Sequence, residues 1–387
     1  MKSKKIKIKH RKYNLYNRKK SKGKQALAII LTIVIAAALC VLGFGLGRPL
    51  MEYFNGNKQQ TTSQSSESTS ESTSGTASQS NTESTDDTSE PAPDEIENTE
   101  VHYISSAALK SVATLDRALA TAKSKGCTTV VVTLRESGGT FLYKTAIEGV
   151  KDNEELTNAL TAKEIFDAVD GAGMNAYARI CTLRDHVSGG YIAGIKYMTA
   201  DGYGWLDAAP NNGGKPWLSP FESKTLKYLG EITAELSSAG FEKIILTDTM
   251  YPAFHPADYD KYLSHISKLN DSNHRAAVLW RVVSSCQSAA KSNGADVMVE
   301  MNMEDITSAE KLGTSAEMAN DRTKLSTAEL LIVFSSQGKD PYTAAKSFIG
   351  QMKATYGNMK FSVVLSKGET ERAEKAFLEE NITVFYE

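Results

Sequence analysis

The sequence predicts an α/β protein: a (β/α)8 TIM-type barrel preceded by a single transmembrane helix and a disordered linker. Two observations carry the barrel. Eight short runs rich in β-branched and apolar residues alternate with helix-like stretches between residues 101 and 387, and runs apolar on both faces that alternate with helices read as parallel strands covered on both sides. The 287 residues of that region also suit a barrel of ~250 residues with insertions. A third observation, charge and hydropathy sorted into blocks near the N-terminus, carries what precedes it. An open doubly wound sheet, built from the same alternation, is the rival arrangement.

Residues 1–25 form a basic tail, with twelve Lys or Arg and no acid in the first 24 positions. Residues 26–47 read ALAIILTIVIAAALCVLGFGLG, 22 positions without a charge, enough to cross a hydrocarbon core of about 30 Å at ~1.5 Å per residue. A cleaved signal peptide has a shorter apolar region of roughly 7–15 residues, so the run reads as an uncleaved anchor. The positive-inside rule then keeps the tail cytoplasmic and the rest of the chain extracytoplasmic, in a single-pass protein of the cell membrane. Residues 48–100 are dominated by Ser, Thr and acids, with ten acids and no base between Thr61 and Glu100. Such a segment has too little to bury and stays disordered. Membrane contact is thus assigned to residues 26–47, and nucleic acid is not an expected partner, because basic residues beside an apolar span serve topology.

The eight strands are expected at VHYIS (from 101), TTVVVTL (128), NAYARICTL (175), KIILTD (243), DVMVEMN (296), LLIVFSS (330), KFSVVLS (360) and ITVFYE (382). Helices are expected between them, including Val112 to Ser124, Ala162 to Gly171 and Ser223 to Ala239. Cys40, Cys127, Cys181 and Cys286 show no CxxC or metal-ligand spacing, which suits free, buried thiols better than a metal site. The six histidines form no HExxH, and the Gly-rich dipeptides lack phosphate-loop spacing. No metal or cofactor is expected.

In a barrel of this kind chemistry sits at the carboxyl ends of the strands. Those ends bring Tyr103, Arg135 and Glu136, Arg179 and Asp185, Asp248, and then Glu300, Asn302 and Glu304. Converging carboxylates with a cation suit glycosidic cleavage, which needs one acid to protonate the leaving oxygen and an ionised partner. Strand-end acids also cap helices in any barrel, so each alone is ambiguous. Asp248, Glu300 and Glu136 are the candidate catalytic carboxylates; period-2 alternation groups Asp248 with Ile244 and Leu246 on one face. Tyr103, Arg179, Asp185, Trp205, Trp217 and Tyr251 are the candidate substrate-binding residues. Trp205 and Trp217 lie in a Gly, Asn and Pro-rich loop, where they are either sugar platforms or pegs that hold the loop down.

The segments TTVVVTLRESGGTFLY, AYARICTLRDH, GWLDAAPNNGGKPWLSPFES and GFEKIILTDTMYP, in that order across residues 101 to 255, resemble a bacterial family of glycoside hydrolase-like TIM barrels, often secreted or anchored. The resemblance maps the family's acidic-Ser-Gly-x-x-Tyr segment onto Glu136, Ser137, Gly138 and Tyr143, and its Ala-Arg-Ile segment onto Ala178, Arg179 and Ile180. The family's fourth strand tends to read Phe-Asp-Tyr-aliphatic-Arg-Phe-Pro. Here Asp248 is followed by Thr249, Met250, Tyr251 and Pro252, one residue shorter and without the Arg. The resemblance implies a glycan partner and hydrolysis of an O-glycosyl bond in a cell-envelope or extracellular polysaccharide. The alternative is a glycan-binding or scaffolding barrel without turnover.

Overall fold

The computed structural model describes residues 101–254, 258, 271–307, 315–357, 359–365 and 371–386, all within one unit that spans Glu90–Glu387. The expected tail, apolar span and linker lie outside the described residues. Among those described, no helix is long and apolar enough to cross a membrane.

Eight parallel strands close in sequential order into a barrel, which excludes the open doubly wound sheet. They are β1 (Val101–Ile104), β2 (Thr129–Arg135), β3 (Asn175–Cys181), β4 (Lys243–Thr247), β5 (Asp296–Asn302), β6 (Glu329–Phe334), β7 (Phe361–Leu365) and β8 (Val384–Tyr386). Closure is made by β1 against β8, where Val101 pairs with Phe385 and His102 with Tyr386. The helices around it are α1 (Val112–Ser124), α2 (Ala162–Gly171), α3 (Ser223–Ala239), α4 (Ser272–Lys291), the short α5 (Met303–Thr307) and α6 (Arg322–Thr327), α7 (Pro341–Tyr356) and α8 (Glu371–Leu378).

Local sequence explains where these helices begin and end. Thr161 caps α2 by accepting from the Glu164 N–H, while the Glu164 carboxylate accepts from the Thr161 N–H at 2.8 Å, the reciprocal capping box. Helix α3 stops at Gly240, whose φ of +119° suits glycine and whose missing Cβ leaves room for the Phe166 ring, 2.5 Å from where that atom would sit.

Alternation sorts the strand residues into two cores. Val101, Val131, Ile245, Met298, Leu331, Val364 and Phe385 fill the barrel interior. Their neighbours, such as Val130, Val132, Ile244, Leu246, Val299 and Ile332, pack outward into the larger core under the helices. Ile244 and Leu246 therefore face away from the barrel axis. In β2 the register slips between Thr133 and Arg135; this bulge sets Arg135 opposite the outward residue Ile180 and so takes it out of the barrel interior.

Candidate active site

The carboxyl ends of three adjacent strands build the candidate site. Arg179, near the end of β3, and Glu300, near the end of β5, flank β4 and meet across it. Arg179 Nε donates to Glu300 Oε2 at 2.7 Å and Nη2 to Oε1 at 2.6 Å. This fork-to-fork geometry fixes both side chains. The pair is part-buried at the barrel mouth, with the Glu300 side chain 12% exposed. Burial works against the Arg179 charge, but the Glu300 carboxylate offsets it, with smaller contributions from Tyr103 and Asp248, and holds the guanidinium above its ordinary pKa.

Asp248 reaches this set by a route that strand alternation does not describe. Strand β4 ends at Thr247, and Asp248 has φ +52°, the left-handed region. Asp and Asn tolerate that conformation better than most residues. The turn is closed by the Met250 N–H donating to the Asp248 carbonyl at 2.9 Å, and the Leu183 N–H donates to the same oxygen at 3.3 Å. Asp248 thus leaves the face of Ile244 and Leu246, and its half-buried carboxylate acts electrostatically on both Arg179 and Cys181. Tyr103, which packs against the inner core, completes the cluster. Glu136 stands apart: it is half-buried past the β2 bulge, in a turn closed by its N–H to the Thr140 carbonyl and by the Gly139 N–H to its own carbonyl, each 2.9 Å.

Four other residues read from the sequence as substrate-binding are buried and committed to packing. Asp185 is 0% exposed. One of its oxygens pairs with Arg135, and the other accepts from the Val187 and Ser188 N–H groups, both at 2.8 Å. Trp205, 3% exposed, packs against Tyr197 and Phe254. Trp217, 6% exposed, lies edge-on to His186 and donates from Nε1 to Asp207 at 3.1 Å. Tyr251 is 0% exposed and donates its hydroxyl to the Arg275 carbonyl at 3.1 Å. For Trp205 and Trp217 this is the packing arrangement of the two alternatives: the loop after β3 is long enough to fold a small core of its own, and its largest apolar rings fill it. Truncating Trp217 to Ala is accordingly expected to destabilise the domain by about 3–5 kcal/mol, read as a lower midpoint in chemical denaturation. A stable variant that has lost glycan affinity would return Trp217 to the binding surface.

The motif around Glu136 is chiefly a device for joining loops. Gly139, at φ +90°, passes so close to Asp185 that a Cβ would lie 2.2 Å from its Oδ1. The His186 N–H donates to the Gly138 carbonyl at 2.8 Å, and the Gly138 N–H to the Arg184 carbonyl at 2.9 Å. Tyr143, fully buried, donates to Glu235 Oε2 on α3 at 2.6 Å, and Thr145 donates to the same oxygen at 2.7 Å. The motif fixes the shape of the mouth from beneath. Sequence reasoning missed Glu235, whose only signal is a carboxylate on the otherwise apolar flank of an amphipathic helix.

Cys127, Cys181 and Cys286 are buried and stand outside any disulfide among the described residues. Burial pushes the Cys181 thiol up to about 12, with Arg135 opposing and Asp248 and Asp185 adding to the rise, so although it neighbours the site it is no nucleophile near neutral pH. Among the described residues no group of three or more His, Cys, Asp or Glu side chains could hold a metal ion.

A family model described as "Putative glycosyl hydrolase domain" matches residues 101–321, which covers the barrel from β1 through β5 and all of Tyr103, Arg179, Asp248 and Glu300. The chain belongs to this glycosyl hydrolase domain family. No curated protein matches the chain. Solved structures similar to it include the glycoside hydrolase domain of PgaB (BpsB) from Bordetella bronchiseptica, at 12% identity and TM-score 0.49 over 76% of this chain and 94% of that one. The catalytic domain of a beta-amylase from Paenibacillus polymyxa matches at 12% identity and TM-score 0.47, over 75% of this chain and 92% of that one. A hypothetical protein from Ruminiclostridium thermocellum matches at 15% identity and TM-score 0.40, over 51% and 95% respectively. At these identities the likenesses concern the fold alone. The glycosyl hydrolase domain family is therefore established by the family match, and the roles of residues rest on the site itself.

Proposed function

We propose that this member of the glycosyl hydrolase domain family is a membrane-tethered, extracytoplasmic glycoside hydrolase that acts on a cell-envelope or extracellular polysaccharide, with Asp248 and Glu300 as its working carboxylates. The observation that carries the reading is the meeting of Asp248, Glu300, Arg179 and Tyr103 at the carboxyl ends of β1, β3, β4 and β5. Glu300, clamped by a guanidinium on both oxygens, is the ionised partner that faces developing positive charge on a sugar ring. Asp248, on a turn that ends β4, handles the proton at the leaving oxygen or the attacking water. Arg179 supplies the cation that the family's fourth-strand pattern places after the Asp and this chain lacks. Glu136 is the reserve carboxylate.

One observation favours a second reading. Both oxygens of Glu300 are engaged by Arg179, as suits a barrel that binds a glycan and does not cleave it. The two readings separate on one experiment: the purified protein is incubated with a panel of envelope and extracellular polysaccharides, and both binding and release of new reducing ends are measured. Release supports the hydrolase. Binding without release over the whole panel leaves the glycan-binding barrel.

The tether rests on the basic tail, the uncharged run at 26–47 and the acidic, Ser/Thr-rich stretch after it. Protease added to intact cells is expected to release the barrel by cuts between residues 57 and 100. Survival of the domain until the cells are lysed would reverse the orientation and exclude an extracellular substrate.

A further inference from the structure

We propose that the cavity between the loops that follow β2 and β3 is a subsite for a cationic amino-sugar unit of the glycan. The inference rests on the glycan reading above and extends it to the chemical class of one sugar. The cavity measures about 330 Å³, at the small end of ligand pockets, which run from about 300 to 1,000 Å³. It is preformed: Gly149, at φ +85°, lets the two loops touch so closely that a Cβ there would lie 2.9 Å from Ile192. Its floor is apolar, made by Phe141, Val150 and Leu156.

Two features define the occupant. Tyr191 lines the cavity and is 62% exposed, and an exposed aromatic ring beside an apolar floor accepts the C–H face of a pyranose. The rim is anionic. Asp152 and Glu155 line it, and no Lys, Arg or His does. The segment from Glu148 to Glu155 holds four acids against Lys151, whose ammonium is taken by Glu148 at 2.7 Å. Asp152 acts electrostatically on Lys151, and both rim carboxylates are exposed and accessible to a ligand. The hydroxyls of a neutral sugar would reach them only through uncharged donors, and a sugar carrying a carboxylate or sulfate would be repelled. An ammonium substituent on the ring would donate charge-assisted hydrogen bonds to both.

The test uses the full chain and three probes in calorimetric titration: a glucosamine tetramer, an N-acetylglucosamine tetramer and trilysine. The cationic tetramer is expected to bind about fivefold more tightly than its acetylated counterpart, the modest gain that two exposed ion pairs give. Asp152→Asn with Glu155→Gln should erase that preference, and Tyr191→Ala should weaken both tetramers. No binding of the cationic tetramer, or a preference untouched by the double substitution, overturns the proposal. Trilysine bound with the same dependence on Asp152 and Glu155 overturns the sugar assignment in favour of a basic peptide. Cleavage assays on the same variants separate the two levels: preference without any cleavage removes the hydrolase and keeps the subsite, whereas cleavage without preference removes the subsite and keeps the hydrolase.

Discussion

Asp248→Asn is expected to lower kcat on a cleaved glycan by about 10²–10⁴-fold, the usual contribution of a positioned proton-transfer group, with folding and glycan affinity largely kept. The substitution suits the site for two reasons. Asn is nearly isosteric with Asp, and it is among the few residues that accept a φ of +52°. The closing hydrogen bonds at this turn run to the Asp248 carbonyl, not to its side chain, so the turn survives the change. Asp248→Ala makes a less clean variant, since a residue without that tolerance adds roughly 1 kcal/mol or more of backbone strain and mixes a stability effect into the kinetics. Glu300 remains paired with Arg179 in either case. Near wild-type turnover by Asp248→Asn would remove Asp248 from the reaction and move the search to Glu136.

Asp185→Ala is expected to destabilise the barrel by about 3–5 kcal/mol, the usual result of removing one partner from a buried ion pair. Both side chains are 0% exposed, so the substitution strands the Arg135 charge in the interior. Burial already works against that charge; Tyr228, Asp185 and Cys181 more than offset it. The Arg135 head also lies 5.2 Å from the centre of the Phe141 ring and 5.6 Å from that of Tyr228, and its Nη1 donates to the Cys181 carbonyl. The amides of Val187 and Ser188 lose their acceptor at the same time. Arg135→Met combined with Asp185→Leu should recover most of the loss, because an apolar pair of similar volume carries no desolvation cost. Denaturation midpoints for the single and double variants decide the matter: a single variant within about 1 kcal/mol of wild type would mean that water enters and solvates Arg135.

The barrel was legible because a strand covered on both faces must be apolar along its length, and that leaves a pattern no neighbour is needed to interpret. All eight expected strands form, and α1, α2 and α3 have the expected bounds, since their caps and amphipathic faces are local properties. Membership of the glycosyl hydrolase domain family was likewise legible in the motifs from TTVVVTL to TDTMYP. The site was legible only in outline. That Arg179 and Glu300, 121 positions apart, would clasp each other across β4 depends on barrel register. The sequence named Asp185, Trp205, Trp217 and Tyr251 by residue type and loop position, but whether a ring or carboxylate faces solvent or a partner is decided by what packs on it. Asp185 finds Arg135 because a one-residue bulge in β2 turns Arg135 out of the barrel. Asp248 escapes the alternation of β4 because one left-handed residue resets the direction of its side chain. Composition and periodicity determine which segments become strands and helices, since those depend on neighbours in the chain; only tertiary structure decides which polar groups are left to work at the mouth, since burial and pairing depend on neighbours in space.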